Sequence, residues 1–204
     1  MTVAVVLGGG NTLQSDVAAY AETGGPVDMV IACNDAGYWY QPGVDVWVSL
    51  HPEKFFAWDE KRAMAGIPEP KVKAAHRQPK ANVCVQLDLV TDFKFPDQPK
   101  SGSSGMFAAK IGLIDMECDH VVLCGVPMQS ASAHFFDQKE WNAAEGFRRS
   151  WLDIPPEYVA RMRSMSGWTR VFCGPPEWND AISYSRKSGK ATKGGTLWTG
   201  FSGN

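Results

Sequence analysis

"VAVVLGGGNTLQSDV", residues 3–17, decides the fold. An unbroken apolar run from Val3 to Leu7 ends in Gly8, Gly9 and Gly10, and a polar stretch then opens a helical pattern. A short apolar run bounded by turn residues reads as a strand buried on both faces, as in a parallel sheet. The glycines let a ligand approach the backbone closely, because no Cβ stands in the way. If Asn11 or Thr12 caps the next helix, the N–H groups of its first turn point into the same space and favour a phosphate or carboxylate. The stretch reads as an anion cradle or as a tight strand-to-helix turn. It is not the strict dinucleotide fingerprint, which needs glycine where Leu13 stands, and it lacks the Gly-Lys-Ser/Thr of a P-loop.

The same alternation continues along the chain. Residues 13–21 form a helix candidate stopped by "TGGP", and 27–33 give a second strand ending in "CNDAG". Residues 44–50 give a third strand, followed by His51 and by Pro52 at the start of a helix running through Ala65. "NVCVQLDL", from Asn82, is a fourth strand candidate; after a Pro, Gly and Ser-rich loop, 106–116 has helical spacing and "HVVLCGVPM" is a further buried strand. Strands alternating with helices predict an α/β, doubly wound, mainly parallel sheet with helices on both faces. Beyond Phe135, "DQKEWNAAEGFRRSWL" and "PPEYVARMRSM" read as helices, giving a helical C-terminal part, with "TRVFCG" as a last strand. Residues 1–180 read as a single domain; the Gly, Ser and Lys-rich 181–204 read as a flexible or ligand-ordered tail. No internal repeat is visible.

A chain of 204 residues with net charge −2 has room for a sizeable core and lacks the basic excess of a dedicated nucleic-acid binder. No apolar run reaches the roughly 18 residues of a membrane span, and the N-terminus lacks a signal-peptide pattern, so the chain reads as cytoplasmic. The 5 cysteines, with no C-x-x-C pair, read as reduced, mostly core residues. No His and Cys spacing fits a zinc site, so no metal ligands are expected. Most of the 8 tryptophans should anchor packing, and some are suited to wall a pocket for a flat ligand.

In open parallel sheets ligands bind beyond the carboxyl ends of the strands. Gly8 to Asn11, Asn34 and Asp35, Ser49 to His51, and Gly125 to Met128 all follow such ends and should share one rim. Asn34 and Asp35 are placed to meet ribose hydroxyls or a base edge, or else to close an Asx turn. His51 suits proton transfer or a phosphate contact, or is a capping residue. "KSGSSGMFAAKIGL" puts Ser103, Ser104 and Gly105 before an apolar helix, as a second anion site or a plain cap, with Phe107, Ala108, Ile111 and Gly112 packing on the sheet. His134 follows "GVPM" by a few residues; His76 and His120 give no comparable signal.

"GGGNTL", "ACNDA" and "SGSSGMFAAKIGLIDMECDHVVLCGVPM" together resemble the MptE-like (6-hydroxymethylpterin diphosphokinase-like) proteins and the related Rossmann-type sialyltransferases of bacterial surface-glycan synthesis. The resemblance covers about residues 1–135 and implies a Rossmann-like fold. It further implies that Gly8, Gly10 and Asn34 hold a nucleotide, that Ser104 and Gly105 match the Ser-Gly helix start, and that His134 corresponds to the catalytic histidine. Gly9 stands where those enzymes tend to carry Asn, and Pro127 replaces an aspartate.

The expectation is a nucleotide-dependent transferase, glycosyltransferase-like with a nucleotide-sugar donor or a related diphosphokinase. Gly8, Gly9, Gly10, Asn11, Thr12, Ser103, Ser104 and Gly105 would hold the phosphates, Asn34 and Asp35 the ribose or base, and His51 or His134 would take the acceptor proton. Fixed donors around a departing phosphate supply rate enhancement without a side-chain nucleophile. The partner is a small-molecule nucleotide. No other cofactor is expected; Mg²⁺ and self-association stay open. The alternatives are a non-catalytic nucleotide-binding or sensing module and a protein-interaction domain.

Overall fold

β1 (Val3–Leu7) lies inside a seven-stranded sheet of order β5-β4-β3-β2-β1-β6-β7, and every strand pair is parallel. The remaining strands are β2 (Met29–Cys33), β3 (Val46–Ser49), β4 (Val72–Ala75), β5 (Leu89–Val90), β6 (His120–Cys124) and β7 (Met162–Ser164). The helices are α1 (Leu13–Glu22), α2 (Ala36–Trp39), α3 (Phe55–Met64), α4 (Ser104–Lys110), α5 (Ala144–Leu152), α6 (Pro156–Val159) and α7 (Gly167–Cys173). This computed structural model describes residues 1–80, 82–130 and 133–177; the tail expected at 181–204 lies outside the described residues.

Alternation along the strands divides the core into two layers. Val3, Val5 and Leu7 face one layer with Leu13, Val17 and Tyr20 of α1, and with Trp47, Phe55 and Trp58. Ala4 and Val6 face the other with Phe107, Ala108 and Ile111, and with Trp151 of α5. Both faces of β1 are therefore covered, as its unbroken apolar run requires. The expected doubly wound, Rossmann-like sheet is the observed one. From β1 the chain winds outward through β2, β3, β4 and β5, then crosses to β6 on the other side of β1, so the strand order reverses between β1 and β6. Ligand crevices form at that switch point.

Four local readings need correction. "NVCVQLDL" runs along the sheet edge with Val85 and Leu87 half-buried, and joins the ladder only at Leu89–Val90. The fourth strand is β4 instead. Its signal is weak in sequence because Lys73 interrupts the apolar pattern and reaches an ion pair with Asp59 at 2.8 Å. β7 lies inside the stretch read as a helix, with Met162 opposite Val121 in the β6 ladder. "TRVFCG" belongs to α7, where Thr169 and Cys173, four residues apart, are buried while Val171 is exposed. α5 begins only at Ala144, so residues 137–142 are not helical. Of the cysteines, Cys33, Cys118, Cys124 and Cys173 are buried, Cys84 is exposed, and all are free. Among the described residues no helix is long and apolar enough to cross a membrane.

Candidate functional site

A cavity of about 270 Å³ opens at the switch point. Its lining joins the exits of four strands: Gly8, Gly9 and Gly10 after β1, Asn34 after β2, Leu50 and His51 after β3, and the segment from Gly125 to Met128 after β6. Ser103, Ser104 and Gly105, at the start of α4, and His134 complete the polar side. Expected residues from six separate stretches of sequence therefore meet in one place.

The glycine loop is close-packed on its inner side. A Cβ at Gly10 would stand 2.5 Å from Pro127 Cδ, and one at Gly8 would overlap the Gly125 carbonyl. Gly8 N–H donates to Cys124 O at 2.8 Å, Gly10 N–H to Gly125 O at 2.8 Å, and Asn11 N–H to Ala133 O at 3.0 Å. These amides are already paired within the protein. Thr12 precedes α1 without a capping side-chain bond, and its hydroxyl donates instead to Asp16 Oδ2 at 2.9 Å. The structure thus places Asn11 and Thr12 outside the cavity lining. Asp35 is outside it too, its Oδ1 accepting from Tyr38 Oη at 3.0 Å and Trp58 Nε1 at 3.2 Å.

Asn34 is the most constrained residue of the rim. Its φ of +50° is left-handed, which Asn tolerates better than most residues. Its side chain bridges two elements: Ser49 Oγ donates to Oδ1 at 2.9 Å, and Nδ2 donates to Ser104 Oγ at 3.2 Å. Trp47 Nε1 donates to its carbonyl at 2.6 Å. Ser103 is the N-cap of α4, its hydroxyl accepting from Met106 N–H, so the capping alternative holds for Ser103 although it also lines the cavity. The Cys33 thiol, on the cavity floor, is pushed up to about 12 by burial and is not a thiolate at neutral pH.

His134 is brought in by strand-like pairing. Phe135 N–H donates to Gly9 O at 2.8 Å and Asn11 N–H to Ala133 O, so Gly10 and His134 form an antiparallel bridge. The imidazole lies over Gly9, where a Cβ would come within 2.5 Å of Nε2. Asp137 Oδ1 is 3.5 Å from Nδ1. The Lys139 N–H, with the His134 and Lys139 charges, holds the Asp137 carboxyl below its ordinary value. His51 is exposed at the β3 side of the cavity, its N–H bonded to Ser49 Oγ at 2.9 Å.

Sequence reasoning placed Leu50, Val126 and Met128 on the rim but did not place Trp141 and Phe147 there. Together these residues line an apolar wall of the cavity, with the Trp141 and Phe147 rings stacked at 5.7 Å. Trp141 is one of the tryptophans suited to such a role. The helical reading of its neighbourhood hid its position. Among the described residues no group of three His, Cys, Asp or Glu side chains is arranged to hold a metal ion.

No protein-family model and no curated protein matches the chain. Among solved structures it is similar to the sialyltransferase CstII from Campylobacter jejuni in complex with a substrate analogue, CMP-3FNeuAc. That match has a TM-score of 0.55 and 16% identity, over 84% of this chain and 85% of that one. A structure of the sialyltransferase CST-II with trisaccharide acceptor and CMP matches with a TM-score of 0.57 and 15% identity, over 86% of each chain. At these identities the likeness is one of fold.

Proposed function

We propose that this protein is a glycosyltransferase-like enzyme that takes a sugar from a nucleotide-sugar donor seated in the switch-point cavity. One observation carries the proposal: Gly8 to Gly10, Asn34, Ser103 to Gly105, His51 and His134 share one cavity between β1 and β6. The fold likeness to sialyltransferases solved with CMP or a CMP-sugar analogue favours a nucleoside monophosphate as the leaving group.

The donor phosphate would lie between the glycine loop and the start of α4. There the helix end and the Ser104 hydroxyl favour negative charge. Asn34, fixed by Ser49 and Ser104, would present its amide to the ribose or base. An acceptor hydroxyl oxygen then bonds to the anomeric carbon while the bond from that carbon to the phosphate oxygen breaks. The electron pair leaves with the nucleoside monophosphate. His134 Nε2 is the better placed base for the hydroxyl proton, because it lies over the glycine loop and Asp137 faces its other nitrogen. His51 is the second candidate. Trp141 and Phe147 give the cavity an apolar wall against which a flat ring can pack.

The test is a thermal-shift panel of nucleotides and nucleotide sugars, with and without Mg²⁺, followed by assay of nucleoside monophosphate release. A ligand that binds only the folded chain raises its melting temperature. Binding with release that His134→Ala abolishes supports the transferase. Binding without release makes the protein a nucleotide-binding module, pyrophosphate transfer makes it diphosphokinase-like, and no shift at millimolar concentrations removes the nucleotide from the account.

A further inference from the structure

Behind the cavity lies a buried acid that the transfer chemistry does not use. Asp16, in the first turns of α1, is 5% exposed. Its Oδ2 accepts from Ser166 Oγ at 2.6 Å, Gly125 N–H at 2.8 Å and Thr12 Oγ1 at 2.9 Å. These donors come from the β7 exit, the β6 exit and the end of the glycine loop. A buried carboxylate is costly unless well paired, and burial here pushes Asp16 above its ordinary value although all three donors and the Arg170 charge oppose that shift. One carboxylate oxygen thus ties together three segments that meet behind the cavity.

The consequence passes through Gly125. Its φ is +68°, and a Cβ there would lie 2.8 Å from Leu13 Cβ and 3.0 Å from Gly8 O. With its N–H held by Asp16, its carbonyl accepts from Gly10 N–H at 2.8 Å. Two further bonds secure the next residues of the same exit: Thr169 Oγ1 donates to Val126 O, and Trp168 N–H donates to Pro127 O at 2.7 Å. The back of the β6 exit is therefore fixed while its front lines the cavity.

We propose that Asp16 is a positioning residue: its carboxylate sets the Gly125 peptide, and through the Gly125 carbonyl it sets the Gly10 segment of the glycine loop against which the ligand sits. The identity of that ligand rests on the proposed function; the linkage from Asp16 to Gly10 does not.

The test compares the parent 204-residue chain with Asp16→Ala, Asp16→Asn and a control, Val17→Ala, which removes core packing from the same helix. Amide hydrogen exchange at Gly10, normalised to global stability, reads local opening. Asp16→Ala should accelerate Gly10 exchange by about ten-fold over Val17→Ala, the equivalent of about 1.4 kcal/mol and of the order of one charge-assisted hydrogen bond. Asp16→Asn, which keeps an acceptor oxygen, should stay within about three-fold of the parent, because the loss is then of charge and not of the bond. If Asp16→Ala does not fold, Ser166→Ala takes its place, with an expected acceleration of about three-fold from one lost bond. Equal Gly10 exchange in the Asp16 or Ser166 variant and in Val17→Ala would overturn the proposal. With CMP as probe, the affinity should fall in the same order as Gly10 exchange rises. If the parent does not bind CMP, the transferase reading loses its support and the exchange comparison still decides the role of Asp16.

Discussion

Replacing Asn34 separates what its side chain contributes from what its backbone demands. Two neutral hydrogen bonds, from Ser49 Oγ and to Ser104 Oγ, disappear in both Asn34→Gly and Asn34→Ala. At about 1 kcal/mol each they account for about 2 kcal/mol. Alanine must also hold φ near +50°, a further cost of about 1–2 kcal/mol for a residue with a Cβ. Glycine avoids that strain but has more freedom to lose on folding, about 0.5–1 kcal/mol. Asn34→Ala should therefore lose about 3–4 kcal/mol and Asn34→Gly about 2.5–3 kcal/mol. For a chain of this size each kcal/mol moves Tm by about 2–4 °C, so the alanine variant should melt about 6–16 °C below the parent. Urea unfolding with an unchanged m-value measures both losses directly. An alanine variant more stable than the glycine variant, or losses below about 1 kcal/mol in both, would refute the reasoning from these bonds and this backbone.

Three further outcomes are expected. Gly37→Ala puts a methyl group onto Trp47 Nε1, which bonds the Asn34 carbonyl, so it should lower stability by about 1–3 kcal/mol in urea unfolding and weaken any rim ligand as well. Gly9→Ala should displace the His134 ring, whose Nε2 lies 2.5 Å from the new carbon, and should reduce turnover far more than melting temperature. The third concerns pH: the folded chain holds the Asp16 proton more tightly than the unfolded chain does. That proton adds stability below the ordinary carboxylate value of about 3.9, and the contribution is lost as pH rises through the raised folded value. The stability of the parent minus that of Asp16→Asn should therefore fall between pH 3 and pH 7, and a rise in that difference would contradict the burial argument.

Much of the fold was legible because β1 is buried on both faces and its apolar run is bounded by glycines, as is β6 by Gly125. β4, β5 and β7 were harder to read. They lie toward the sheet edges and are two to four residues long, so Lys73 or Arg163 breaks the apolar pattern without harming the pairing. The rim was legible through one topological rule, since residues after parallel strands share an end of the sheet whatever their separation in sequence. Which residues face the cavity was not. Thr12 and Asp35 stand at strand exits like Asn34, yet their side chains turn toward Asp16 and toward Tyr38 and Trp58. Trp141 reaches the wall through a non-helical segment that helical periodicity had absorbed. Asp16 was missed because an acid in the first turn of a helix is ordinary, and only the donors converging on it from β6 and β7 make it unusual.

The most direct test is an amide NMR titration of the 204-residue chain with CMP. Saturable shifts centred on Gly8 to Gly10, Asn34 and Ser103 to Gly105 are the predicted result. Absence of shifts at millimolar CMP, or saturable shifts confined to a surface away from the β1 and β6 exits, would contradict a nucleotide site at the switch point.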